Sequence, residues 1–190
     1  MKFFVSIFFM LFTLNPTGFF AANNANLDSL LMEIDNAIKN QNSYIGQKEN
    51  YIQKIKSQLE YSGQTIESRY IIYTQLVNEY EAFQSDSLKK YSIERLLTAE
   101  TIDNNSWIVD SKINLALVEA QRGFFQEAID ILENIDKNQL TRQQLIDYYK
   151  ASSDTYIYWL EYLDGFDTSS LIEKRQAAQD SLIEILPIDS

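Results

Sequence analysis

The sequence predicts an all-α array of antiparallel helical hairpins, about eight helices long, behind an export signal. Three observations carry that prediction. From Asn23 onward the apolar residues recur mostly at helical spacing, with no strand-like alternation. Helix breakers are scarce, five Gly and two Pro in 190 residues, so consecutive helices must be joined by short polar turns. The mixture of 45% apolar and 23% charged residues is that of a chain able to bury a core, and its length suits one domain.

The opening stretch, MKFFVSIFFMLFTLNPTGFFAA, is a separate object. One cation, Lys2, precedes an apolar run from Phe3 to Leu14, followed by Asn15-Pro16 and small residues. That order is the layout of a secretory signal peptide, with cleavage after Ala21 or Ala22. The run falls short of the ~20 residues that a spanning helix needs. The expected division is therefore a signal peptide at 1–22, an N-terminal helical hairpin at 23–63 and helical repeats at 64–190.

A first helix is expected from Leu27 to Lys39, with Leu27, Leu30, Leu31, Ile34 and Ile38 on one stripe. Asn40 to Ser43 is rich in capping residues and predicts a break. A second helix, Tyr44 to Glu60, carries a narrow seam of Ile45, Ile52, Ile55 and Leu59, which fits a hairpin with the first. The third, after YSGQT, extends to about Ala82 through Ile66, Tyr70, Tyr73, Leu76, Val77 and Tyr80. Gln84 to Leu88 supplies the Ser and Asp of a helix start, and a fourth helix continues to about Thr101. Asp103 to Ser106 breaks the chain again. The fifth helix, Trp107 to Gln121, is apolar on more than one side, which predicts burial between neighbours. Gly123 turns the chain into a sixth helix bearing Ala128, Ile129, Leu132 and Ile135. The seventh spans Thr141, a candidate cap, to about Tyr162, and the eighth ends at Leu186-Pro187.

INLALVEAQRGFFQEAIDIL resembles a tetratricopeptide repeat over about Val109 to Arg142. Leu115-Ala116 supply the large and small central pair, Gly123 the turn, and Ala128 and Leu132 the four-residue spacing of the second helix. Lys112, Glu119 and Leu140 stand where the family has Trp, Tyr and Pro. Hairpins around Tyr70 to Tyr91, with Ser87 in the small position, and around Ala151 to Pro187 agree more loosely, so the array is irregular. The order of segments from LDSLLMEIDNAI to DSLIEILP also resembles a bacterial domain of unknown function, the exported N-terminal part of tetratricopeptide-type membrane regulators. That resemblance implies a periplasmic (or outer-surface) sensor in a Gram-negative bacterium. The regulators continue into a membrane helix, a cytoplasmic coiled coil and often a helix-turn-helix. This sequence stops at Ser190, so it is expected to be either their sensor portion or a stand-alone protein.

Composition closes several function classes. Without Cys or His there are no disulfides, no lipid-modified Cys, no Ser-His-Asp or Cys-His catalysis and no Cys/His zinc site. The net charge is −11, and losing Lys2 with the signal makes it more negative, so direct nucleic-acid binding is not expected. No glycine-rich phosphate loop is present. Asp164, Asp167 and Glu173 lack the alternating spacing of a calcium loop. No cofactor or metal is expected, and the protein is read as a non-enzyme.

The first helix of each hairpin would line a groove for a peptide, a protein or a small ligand. Projecting the repeat register places there Arg69, Ile72, Leu76 and Glu79, then Asp110, Ile113, Asn114 and Leu117, then Tyr148, Ser152 and Thr155. Asn114 stands where these repeats often use an Asn toward a peptide backbone. Tyr156, Tyr158, Trp159 and Tyr162 form an interface-like aromatic set. The motif DSL occurs at Asp28, Asp86 and Asp180. Its plain reading is a helix start, and it also resembles an O-glycosylation signal, which makes Ser29, Ser87 and Ser181 candidate modification sites. The expected function is non-catalytic binding by the input module of a regulator. The alternatives are an exported scaffold or assembly factor and, more distantly, an acidic-residue hydrolase.

Overall fold

The computed structural model describes residues 17–61, 63–163 and 167–186, with side chains from residue 27 onward. The signal-like run before Thr17, as well as Asp164 and Pro187, lies outside the described residues. Among the described residues there are eight α-helices and no strand. They are α1 (Thr17–Lys39), α2 (Gln41–Leu59), α3 (Ile66–Tyr80), α4 (Ser85–Ile102), α5 (Asn105–Gln121), α6 (Phe125–Glu133), α7 (Arg142–Tyr162) and α8 (Ser169–Ile185). A 3-10 turn, Lys137–Gln139, lies between α6 and α7. The all-α hairpin array expected from the sequence is the fold observed.

The chain forms two compact units, residues 1–50 and 51–190. In the first, the break expected at Asn40 to Ser43 falls at Asn40, with α1 ending at Lys39 and α2 beginning at Gln41. Hydrogen bonds of helical spacing flank it, from Asn40 N to Asn36 O at 3.0 Å and from Tyr44 N to Asn40 O at 3.1 Å. Asn40 also donates its side-chain amide to Asn36 O at 2.8 Å. The apolar stripe Leu27, Leu30, Leu31, Ile34 and Ile38 is exposed.

In the second unit the starts of α3, α5 and α7 and the ends of α4 and α5 have local causes. Thr65 caps α3, its hydroxyl accepting from Ser68 N at 3.2 Å. Asp103 ends α4 in the left-handed region at φ 57°, and Asn104 caps α5 by accepting from Trp107 N at 3.1 Å. Gly123 ends α5 in a Schellman turn. Phe124 N reaches Glu119 O at 2.9 Å and Gly123 N reaches Ala120 O at 3.0 Å, at a φ of +86° that favours glycine. Thr141 and Gln144 form a reciprocal capping box at the start of α7.

Two apolar clusters hold the hairpins together. The first joins Ile52 and Ile55 of α2 to Ile72, Tyr73, Leu76, Val77 and Tyr80 of α3, Leu88 and Tyr91 of α4, and Val118 of α5. The second gathers Ile113, Ala116 and Ala120 of α5, Ala128 and Leu132 of α6, Ile135, and Tyr148 and Ala151 of α7. Ala116, Ala120 and Ala128 are at most 1% exposed, so small side chains sit where α5 and α6 approach closely. Glu119, which replaces the Tyr of the repeat pattern, is buried beside Lys89 at 2.9 Å.

Candidate functional site

The groove projected from the repeat register does not form as one open surface. Ile72, Leu76, Ile113 and Thr155 are core residues, and Leu76 and Thr155 are fully buried. The reason is packing on the first helices of the hairpins. On α3, Ile72 and Leu76 share a cluster with Ile52 and Ile55 of α2. On α5, Asp110 is taken up by α7, accepting from Gln144 Nε2 at 2.8 Å. Asn114 is half-buried and faces α4, its Oδ1 accepting from Ser92 Oγ at 3.2 Å. Leu117 and Glu79 are half-buried, while Arg69 is exposed and donates to the Tyr73 hydroxyl at 3.1 Å.

Tyr148 and Ser152, two more of the projected residues, do reach a cavity. It lies between α6, the 3-10 turn and α7, with a volume of about 180 Å³. Ile129 and Leu132 give it apolar wall, Tyr148, Ser152 and Tyr156 give phenol and hydroxyl groups, and Glu133 and Lys137 give one charge of each sign. Ser152 Oγ donates to Tyr148 O at 2.9 Å, which leaves the hydroxyl oxygen able to accept. The Lys137 ammonium lies 5.7 Å from the Tyr148 ring centre and 6.0 Å from that of Tyr149. Burial, then the Glu133 carboxylate and Tyr148, push the Tyr156 hydroxyl above its ordinary pKa, so it is a neutral donor at physiological pH.

The aromatic set divides between two places. Tyr156 lines the cavity, whereas Trp159 stacks on Phe125 at 5.6 Å and Tyr162 tilts against the same ring at 5.7 Å. Tyr158 and Tyr162 border an open hollow of about 400 Å³ beside the Gly123 turn. Tyr156 and Tyr158 are two residues apart on α7 and so point to different sides of the helix.

The DSL motifs also separate. Only Asp86 lies in a first helical turn; Asp28 and Asp180 are inside α1 and α8, so the helix-start reading fails for those two. Ser29 is exposed, Ser87 donates to Gln84 Oε1 at 3.1 Å, and Ser181 donates to Ala177 O at 2.9 Å. Asp167 serves the start of α8, accepting from Ser169 N at 3.1 Å and Ser169 Oγ at 2.8 Å, and these bonds hold its carboxyl below the usual range. Glu133 and Lys137 were missed by sequence reasoning. Their signal was an i, i+4 Glu and Lys pair straddling a helix end, which reads as ordinary surface until the cavity is seen.

Stacked hairpins with small residues at their close approaches define a helical-repeat interaction module of the tetratricopeptide type. The family model for the SusR N-terminal TPR domain matches residues 38–190, and the chain belongs to that family. No match was found among curated proteins or among solved structures. Among the described residues no helix is long and apolar enough to cross a membrane.

Proposed function

We propose that this protein is the non-catalytic, ligand-binding input module of a bacterial regulator and that it works outside the cytoplasm. One observation supports the binding role above the others. The α6–α7 cavity collects five polar side chains at the joint between two hairpins. Its charged members, Glu133 and Lys137, form no ion pair with each other. The α6–α7 contact is sparser than α5–α6 or α5–α7, so an occupant there bears on hairpin packing directly. A ligand that binds one packing better than another shifts the equilibrium by its differential affinity. Family membership and the signal-like opening residues support the regulatory role and the location.

The test of binding is thermal unfolding of the full chain against a broad panel of solutes and peptides. Binding to the folded state raises Tm by mass action, so a flat response across the panel would count against the reading. Fractionation of the native protein tests location. An extracytoplasmic epitope is expected, and a purely cytoplasmic one would refute the placement.

The hollow beside Tyr162, which is 76% exposed, favours a second reading as a protein-docking scaffold. Tyr162→Ala would then weaken partner binding while leaving any solute-dependent rise in Tm unchanged.

A further inference from the structure

We propose that the α6–α7 cavity takes a small zwitterion, of the class of a free α-amino acid, with its ammonium at Glu133 and its carboxylate at Lys137. The inference rests on the binding reading above and names the ligand class of that same site.

Three features of the cavity lead to it. The first is size. Drug-sized ligands occupy pockets of ≈ 300–1,000 Å³, and an apolar cavity of ~150 Å³ holds benzene. At about 180 Å³ this cavity suits a single residue-sized molecule. The second is charge. Glu133 and Lys137 both line the cavity, yet neither has a salt bridge to another of the described residues. A solely anionic ligand would meet Glu133 and the overall charge of −11, and a solely cationic one would meet Lys137. A molecule bearing both charges satisfies both groups. The third is the apolar wall of Ile129 and Leu132, 5% and 3% exposed, which gives an aliphatic or aromatic side chain somewhere to lie. Tyr156 and Ser152 then supply a donor and an acceptor at the same mouth.

Other features of the molecule carry less. The groove beside Gln58, Gln64 and Gln75 is open and has no charged lining residue to choose a ligand class. Nothing identifies what would cover the exposed stripe of α1.

The test uses isothermal titration and thermal unfolding of the full chain with L-leucine and L-phenylalanine. The controls are their N-acetyl and carboxamide derivatives, uncharged solutes and blocked peptides. Free amino acids should bind and raise Tm, and blocking either end should lower affinity by about tenfold or more. Glu133→Gln should lose discrimination against the N-acetyl compounds, and Lys137→Met discrimination against the amides. Both positions are exposed, and the Tm of each unliganded variant shows that it folds. Equal binding of blocked and free forms would overturn the inference. An uncharged solute or blocked peptide that stabilises the chain while every free amino acid is inert would also overturn it, yet leave the binding reading standing. Inertness of every probe would overturn the inference and count against the binding reading.

Discussion

Gln144 is the side chain on which the joint between the second and third hairpins turns, and changing it gives a worked prediction. It is 6% exposed and does two things at once. Its Oε1 accepts from Thr141 N at 3.1 Å, closing the capping box of α7. Its Nε2 donates to Asp110 Oδ1 at 2.8 Å and to the Ser106 carbonyl and hydroxyl at 3.2 Å, tying α7 to α5. The cap bond is worth about 0.5–1.5 kcal/mol and the bond to a carboxylate about 1.5–3 kcal/mol. Gln144→Ala should therefore cost about 2–4 kcal/mol, a fall in Tm of roughly 5–12 °C for a domain of this size.

Gln144→Glu separates the two roles. Its carboxylate still accepts from Thr141 N, but it no longer donates to Asp110 and instead repels it. At neutral pH it should cost at least the bridging share, about 1.5–3 kcal/mol. Urea unfolding of the wild type and both variants reads all three values. A cost below about 0.5 kcal/mol for both variants would place Gln144 among ordinary surface positions and refute the bridge.

Two further predictions concern the backbone and a half-buried charge. Gly123→Ala meets no atom within 4 Å, so its effect is conformational strain alone, about 1–2 kcal/mol of lost stability; an unchanged Tm would contradict the left-handed turn. Burial raises the Asp154 pKa against the pull of Lys150, so the folded state holds its proton more tightly than the unfolded chain does. Stability from that group is present below the ordinary Asp value and is lost as pH rises through the raised one. Asp154→Asn should therefore raise Tm at neutral pH and leave it unchanged at about pH 3, and a neutral-pH loss would contradict this.

The helices could be read from the sequence because their signals are local. Thr65, Asn104, Gly123 and Thr141 act at helix ends through bonds to residues two to five positions away, so spacing alone exposes them. The site was less legible because it depends on which faces are covered. A repeat register treats Ile72 and Asn114 as groove positions, whereas α2 shares the cluster around Ile72 and Ser92 of α4 occupies Asn114. Tyr148, Ser152 and Tyr156 did reach a cavity, but of its charged members Glu133 is the last residue of α6 and Lys137 the first of the 3-10 turn. No periodic pattern points to Glu133 or Lys137.

The most direct test of the central claim is hydrogen exchange of the full chain with and without the free amino acid that raises Tm most. Slowed exchange is expected in α6, the 3-10 turn and the first two-thirds of α7, around Ile129 to Tyr156. Protection confined to Gln58 to Gln75, or spread evenly over the chain, would contradict a binding site at the α6–α7 joint.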